Sequence, residues 1–187
     1  EMSGATAEAK KRQEPGMLQL VLVLLIISAV VALLLGVVNY VTAPAIAANE
    51  KAKNEAAMAA VLPADSYTPV DYSGGDTTIE AVYQAGDAGY VFQVSPSGSF
   101  SGTLTIMVGV SGEGQVTGVE IVKTAETSGL GANAGKPAFR EQFVGASGSV
   151  SVSKDGGAID ALTGATITSR AVCAGVNSAL DAAASLG

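Results

Sequence analysis

Two glycine-rich polar stretches contain most of the residues that could support chemistry in this sequence. The first runs from Glu126 to Gly131 and reads ETSGLG, and the second runs from Asp160 to Ser169 and reads DALTGATITS. The second stretch leads into a run of small residues that predicts a helix. Because the first N–H groups of a helix lack intrahelical acceptors and carry the positive end of its dipole, this arrangement suits an anion or a phosphate. An ordinary helix cap at Thr168 or Ser169 is the alternative, and local chemistry alone favours the cap.

The composition excludes several kinds of site built from the chain's own side chains. The 187 residues include no histidine and one cysteine. A histidine-based catalytic triad, a histidine-bound haem and an imidazole metal site are therefore excluded. One cysteine permits no internal disulfide and no iron–sulfur cluster held by this chain alone. Cys173 lies among small apolar residues, which favours a buried structural thiol. We assign no catalytic residue and no metal site, so redox chemistry would require a bound cofactor.

The charge distribution opposes a nucleic-acid partner. Ten Lys plus Arg stand against seventeen Asp plus Glu, and the net charge is −7. A nucleic-acid-binding surface needs clustered basic residues, which this sequence lacks. The acidic excess lies after residue 40, whereas the first forty residues are neutral. Lys136, Arg140 and Lys154 could neutralise a phosphate, but solvated surface charges are the favoured interpretation.

Residues 17–38 form an apolar stretch long enough to cross a membrane. The stretch has no charged residue, and as a helix it spans roughly 33 Å against about 30 Å of hydrocarbon. A signal peptide is the alternative, because Lys10, Lys11 and Arg12 precede the stretch. The apolar part of a signal peptide is only about 7–15 residues long, so the length favours a retained anchor. The basic flank predicts a cytoplasmic N-terminus, with everything after Tyr40 outside.

The pattern beyond the span predicts one α+β domain. We expect four segments along the chain: a cytoplasmic segment over 1–16, a transmembrane helix over 17–40, a stalk helix over 41–64 and a folded domain over 65–187. The domain begins with a loop over 65–77. Strands separated by short loops are expected over 79–84, 90–94, 103–110 and 116–122, which favours an antiparallel meander. A short helix over 137–144, a last strand over 149–153 and a helix over 168–186 with a Thr or Ser cap complete the prediction.

The second stretch resembles the flavinylation motif of proteins that carry FMN covalently. That motif, Asp-x-x-Ser/Thr-Gly-Ala-Thr, matches Asp160, Thr163, Gly164, Ala165 and Thr166. In that family a transferase joins the FMN phosphate to the hydroxyl of the last threonine. The resemblance therefore implies attachment at Thr166, with Asp160 as the acidic position of the motif. A second Ser-Gly-Ala-Thr sequence at residues 3–6 has no Asp at the matching position and is interpreted as coincidence.

Over nearly its full length the chain is similar to the G subunits of Rnf complexes, the ion-translocating ferredoxin–NAD oxidoreductases of bacterial membranes. Beyond the span and the flavinylation motif, the similar segments are 42–44, 61–63, 89–92, 106–110, 126–131 and 139–143. The family loop usually reads ETPGLG, often after a histidine, whereas Ser128 replaces the proline here and no histidine exists. The C subunit of the sodium-pumping NADH:quinone reductase shares both motifs but is typically longer, so the short chain favours Rnf.

The resemblance implies a membrane-anchored electron-transfer subunit with covalent FMN bound by an extracytoplasmic FMN-binding domain. It implies a single pass through the bacterial inner membrane, partner membrane subunits and a flavin transferase for maturation. The loop residues expected against the flavin ring are Glu126, Thr127, Gly129, Leu130 and Gly131. The residues expected at the phosphate are Thr163, Gly164 and Ala165, with a further hydroxyl from Thr168. The alternatives are the FMN domain of a sodium-pumping quinone reductase, a stand-alone extracytoplasmic reductase and an anchored interaction module without cofactor.

Overall fold

A computed structural model describes residues 16–186 of the chain. Its helices are α1 (Met17–Val61), α2 (Pro137–Arg140) and α3 (Thr166–Leu186), and its strands are β1 (Thr68–Val70), β2 (Ile79–Gln84), β3 (Gly89–Val94), β4 (Leu104–Ser111) and β5 (Val116–Thr124). Short 3-10 turns cover Gly131–Gly135, Glu141–Phe143 and Ser153–Asp155. The basic flank at residues 10–12 and the Ser-Gly-Ala-Thr sequence at residues 3–6 lie outside the described residues.

The five strands form one antiparallel sheet in chain order, which confirms the predicted meander and the α+β class. Strand β4 is buried along its first seven residues, since both faces of the sheet are covered. Ile106 and Val108 belong to the core that contains α3, whereas Met107 belongs to a smaller core with the end of α1. Burial on both faces explains why this strand is almost continuously apolar in sequence.

Two segments of the domain differ from the prediction. Strand β1 lies inside the predicted loop over 65–77 and pairs with β2; it has three residues including Pro69, a composition expected only at a sheet edge. The predicted strand over 149–153 is wrong. The main chain of Val150 instead exchanges two hydrogen bonds with the Asn177 side chain of α3, at 2.8 and 2.9 Å. Val152 makes only an isolated parallel bridge to Ile159.

Helix α1 contains the predicted span, and the predicted stalk as far as Val61. It continues through Pro44, which lacks the N–H of a regular helical residue. Among residues 16–186, α1 is the helix long and apolar enough to cross a membrane, and its most apolar window is fully exposed. Contacts divide the chain into one compact unit up to Asn49 and a second from Glu50 onward. The last turns of α1 therefore belong to the folded domain.

The Val61 end of α1 lies close to two glycines of the sheet. Gly109 of β4 and Gly118 of β5 are paired across the strands. A Cβ on Gly109 would lie 2.6 Å from the Val61 carbonyl oxygen, and a Cβ on Gly118 would lie 2.9 Å from the Val61 Cα. The Thr117 hydroxyl donates to the same carbonyl at 2.6 Å. The two glycines thus permit the close approach, and Thr117 satisfies a carbonyl at the end of the helix.

Candidate functional site

The two glycine-rich stretches meet at one cleft of about 350 Å³ in the folded domain. The predicted residues that line it are Glu126, Thr127, Leu130 and Gly131 from the first stretch and Gly164, Ala165, Thr166 and Thr168 from the second. The lining is completed by Phe100, Lys154 and Ile167. Segments that are far apart in sequence therefore converge where the resemblance places a single ligand.

Three predicted residues do not line the cleft. Gly129 has a φ of +79°, which turns the loop, and its carbonyl accepts a hydrogen bond from Asn133 Nδ2 at 2.7 Å. Thr163 is exposed beside the cleft residue Gly164. Asp160 is also exposed, and its main-chain N–H donates to Gln142 Oε1 at 2.7 Å. The roles assigned to these three residues stay predictions.

Glu126 joins the two walls of the cleft. Thr168 Oγ1 donates to Glu126 Oε2 at 2.8 Å, while the Ser101 N–H and hydroxyl donate to Oε1 at 3.1 and 3.0 Å. Burial opposes ionisation of Glu126, but these hydrogen bonds outweigh it and hold the pKa below the ordinary value of 4.5. The carboxylate is therefore a fixed negative charge, and it is only 8% exposed.

The hydroxyl of Thr168 has a different partner from the expected one. Thr168 is 1% exposed, and its hydroxyl donates a hydrogen bond to Glu126 rather than being free to bind a phosphate. The nearby Gly131 makes this contact possible: a Cβ there would lie 2.5 Å from Glu126 Oε2 and 2.7 Å from Thr168 Oγ1. A buried carboxylate needs hydrogen-bond donors. The Thr168 hydroxyl, which the sequence analysis assigned to the phosphate, is one of the donors to Glu126.

The start of α3 differs by two residues from the predicted start. The helix begins at Thr166, so Thr168 and Ser169 lie inside its first turn rather than at a cap. Ser169 Oγ accepts from the Leu162 N–H at 2.9 Å and donates to the Ala165 carbonyl at 3.0 Å. These bonds fix the turn that precedes Thr166. The acceptor threonine of the motif is therefore the first residue of a long, well-anchored helix.

A short turn places a cation at this helix start. Lys154 Nζ donates to Thr166 Oγ1 at 3.1 Å. Its neighbour Asp155 accepts two hydrogen bonds from Arg170, both at 2.7 Å. The hydrogen bonds from Arg170 lower the pKa of Asp155, and the same contact raises the pKa of Arg170.

Sequence reasoning named Lys154 as one of three cations that could neutralise a phosphate but favoured a solvated surface charge, because a lysine six residues before the motif has no spacing that distinguishes it from a solvated one. Of the other two cations considered for a phosphate, Arg140 is engaged elsewhere, with Glu120 and the Val119 carbonyl. No pattern in the sequence distinguishes Lys154 from Arg140, because the contacts of both residues depend on the tertiary fold.

Exposed apolar side chains gather at the cleft. Phe100, Leu130 and Ile167 are 70%, 43% and 50% exposed. Apart from α1, the described residues contain one further exposed large apolar side chain, Val144. Such clustering marks a binding site, and a partly apolar rim suits a flat aromatic ligand. Phe100 lies outside both glycine-rich stretches, and Ile167 lies in the second but had no assigned role, so the sequence indicated neither as a rim residue.

The comparisons with known proteins agree with this geometry. Residues 99–181 match the family model of the FMN-binding domain. The chain is 32% identical over 183 residues to the G subunit of the Na⁺-translocating ferredoxin:NAD⁺ oxidoreductase complex of Acetobacterium woodii, covering 86% of this chain and 88% of that protein. The chain belongs to the G subunits of ion-translocating oxidoreductase complexes. The predicted family is thereby confirmed.

Two further G subunits show the same breadth of similarity. The ion-translocating oxidoreductase subunit of Methanosarcina acetivorans is 32% identical over 174 residues, with 87% of this chain and 92% of that protein covered. The proton-translocating ferredoxin:NAD⁺ oxidoreductase subunit of Clostridium ljungdahlii is 34% identical over 161 residues, with 80% and 82% covered. The Acetobacterium and Clostridium relatives, which are similarly identical to this chain, are thus named for different ions, Na⁺ and the proton.

The cleft of this G subunit fits FMN. The matched domain includes every lining residue of the cleft. The Thr166 hydroxyl beside the Lys154 ammonium suits a phosphate, and the exposed apolar rim suits the flavin ring. FMN is therefore confirmed as the cofactor of the family domain. This finding opposes the alternative of an interaction module without cofactor.

The lone cysteine takes no part in this site. Cys173 is 4% exposed within the α3 core. Burial raises the pKa of its thiol to about 11. The thiol is therefore protonated at neutral pH and poorly reactive, as expected from its neighbours in sequence.

Proposed function

We propose that this G subunit relays electrons within an ion-translocating ferredoxin–NAD oxidoreductase, with FMN attached covalently at Thr166. The observation that carries the proposal is the convergence of both motifs on one cleft inside the FMN-binding domain. FMN accepts and donates electrons singly or in pairs, which suits a relay between other redox centres. The names of the Acetobacterium and Clostridium relatives support ferredoxin and NAD⁺ as the reactants of the whole complex.

The attachment uses the hydroxyl of Thr166. Its Oγ1 forms the ester bond to the phosphate, and the product is heavier than the unmodified chain by FMN less one water. Thr166 is half-buried at the start of α3, so its side chain can be reached from the cleft. Thr163, Gly164 and Ala165 surround the phosphate in this proposal, while Asp160 is exposed to the flavin transferase. A phosphoester retains the cofactor without altering the ring.

The loop over 126–131 forms the wall for the ring. Gly131 lets the loop approach the first turn of α3, and Glu126 fixes that approach through Thr168. Leu130 and Ile167 present apolar surface that limits water at the site. The chain's own residues thus bind and shield the cofactor and set a negative charge beside it.

Ion translocation belongs to partner subunits in this proposal. The apolar part of α1 over 17–38 has no ionisable side chain, and a membrane segment without one supplies no relay for Na⁺ or protons. Helix α1 therefore anchors the chain in the membrane. We place its N-terminus in the cytoplasm and the FMN domain outside, in the bacterial inner membrane, beside the other subunits of the complex.

The proposal is tested by the intact mass of the full-length chain purified from cells that contain a flavin transferase. The native chain should be heavier by FMN less one water, and the addition should vanish in Thr166→Ala. The matched control is Thr6→Ala, in the other Ser-Gly-Ala-Thr sequence, which should keep the full addition. An unmodified native chain from cells that flavinylate other proteins would contradict the covalent proposal. Loss of flavin in Thr6→Ala would contradict the assigned acceptor.

A further inference from the structure

We infer that Lys154 is a positioning residue for flavin attachment, and that the ion pair between Asp155 and Arg170 holds it against Thr166. This inference rests on the proposed function, because it requires Thr166 to be the acceptor. It adds a role outside the flavinylation motif, carried by a turn that precedes the motif in sequence.

The contact itself suits an acceptor hydroxyl. A hydroxyl oxygen has two lone pairs. Lys154 Nζ donates to one of them at 3.1 Å, which orients the Thr166 side chain and leaves the other lone pair for phosphorus. The ammonium also stands beside the oxygen that becomes part of a negatively charged phosphate ester. Hydrogen bonds between an ammonium and phosphate oxygens are among the stronger ones in proteins.

The main chain that carries Lys154 is fixed on both sides of the turn. Val152, on the N-terminal side, is 1% exposed and bridges to Ile159. Gly156 ends the turn with a φ of +86°. Gly157 packs on the Ser151 carbonyl so closely that no Cβ would fit. The turn is therefore held in place even though the Lys154 side chain is exposed.

The Asp155–Arg170 pair supplies a second point of attachment. Arg170 follows Thr166 by one helical turn, so the two side chains lie on the same face of α3. Lys154 and Asp155 are adjacent in the turn. Lys154 contacts Thr166, and Asp155 contacts Arg170. A planar guanidinium bound through two hydrogen bonds fixes orientation as well as distance. The ion pair therefore sets where Lys154 can reach.

The covalent step balances without oxidation or reduction. The donor is a flavin nucleotide whose phosphate carries a leaving group. The bond from Thr166 Oγ1 to phosphorus forms, the bond from phosphorus to the leaving-group oxygen breaks, and the hydroxyl proton passes to the departing group. No bond to Lys154 forms or breaks in this step. Its place in the step is to align the hydroxyl and to offset the charge on phosphorus-bound oxygen.

The test measures the initial rate of mass gain of the full-length chain in detergent, with purified flavin transferase and flavin adenine dinucleotide as the donor. Lys154→Gln should react at least about tenfold more slowly, because a charge-assisted hydrogen bond is lost. Lys154→Arg should recover most of the rate, since it keeps the charge and a donor. The matched control Lys136→Gln removes the same charge elsewhere and should react like the native chain. Equal rates for Lys154→Gln and the native chain would overturn the inference, and so would equal slowing by the two Gln variants.

A double-mutant comparison tests the ion pair. Arg170→Gln should slow attachment by about threefold in the native background and should add nothing in the Lys154→Gln background, because it acts through Lys154. Independent slowing in both backgrounds would overturn the positioning role of the pair. Should Lys154→Gln fail to fold, the inference is tested by the attachment rates of the other two variants: most of the native rate for Lys154→Arg and about threefold slowing for Arg170→Gln. An unmodified native chain would contradict the proposed function instead, so the two failures are distinguishable.

Discussion

At the residue scale, Gly131 controls whether the two walls of the cleft can be joined. Gly131→Ala would place a Cβ 2.5 Å from Glu126 Oε2 and 2.7 Å from Thr168 Oγ1. We expect this variant to break the Glu126–Thr168 hydrogen bond and to lower the free energy of unfolding by about 1–3 kcal/mol, measured by urea denaturation in detergent. The control is Gly135→Ala in the same 3-10 turn, where a Cβ meets nothing within 4 Å. Equal stability of the two variants would contradict this account.

The same carboxylate predicts a pH dependence of stability. Because the folded pKa of Glu126 lies below its ordinary 4.5, its ionised form stabilises the fold above that value, and the contribution is lost as the pH falls through the folded pKa. The difference in unfolding free energy between the native chain and Glu126→Gln should therefore shrink from neutral pH to about pH 3. Urea denaturation at several pH values measures it. A difference that stays constant or grows on acidification would refute the prediction.

Some residues of the cleft could be predicted from a local sequence pattern, and others could not. The motif predicted Thr166 and its neighbours, since their identities and spacing are read along the chain. Lys154 and Phe100 reach the cleft from other segments. Phe100 had no signal in the sequence, and Lys154 was interpreted as a solvated charge because no spacing distinguished it from Lys136 and Arg140. The Thr168 hydroxyl was visible in sequence, but its partner was not, because a contact across 42 residues depends on how the loop folds back.

At the element scale, the seat of α1 on the sheet depends on two paired glycines. Gly109→Ala would bring a Cβ to 2.6 Å from the Val61 carbonyl oxygen, which is main chain and cannot rotate away. We expect about 1–3 kcal/mol of destabilisation and displacement of the helix end. Hydrogen exchange of the amides in the last turn of α1 and urea denaturation would measure the two effects. Gly112→Ala, in an open turn, is the control and should leave both unchanged.

The strands with strong alternation or long apolar runs were predicted within one or two residues, and so was α3. The weaker elements were missed for physical reasons. Strand β1 is too short to show a period, and its pairing with β2 is visible only in three dimensions. The segment around Val150 has strand-like composition, but a side-chain amide of α3 supplies the hydrogen bonds that a neighbouring strand would have given. Tertiary contacts override local propensity at such positions.

At the scale of the whole molecule, the charge asymmetry and the single span predict an external domain. Ser147→Cys places a thiol on an exposed loop, and the buried Cys173 gives little background because its thiol pKa is about 11. A membrane-impermeant maleimide that reaches the outer face of the cytoplasmic membrane should label Ser147→Cys in unlysed cells, and should label Ser3→Cys only after lysis. The reverse pattern would contradict the proposed orientation.

The separation between core and cleft has a consequence for the timing of maturation. The cores are built from residues such as Phe92, Ile106 and Phe143, whereas the apolar rim residues Phe100, Leu130 and Ile167 belong to neither core. Burial of the two cores therefore does not require the exposed apolar side chains at the rim of the cleft. We therefore expect the proposed attachment of the flavin to follow folding, so that a cell short of riboflavin accumulates a folded chain without cofactor rather than a misfolded one.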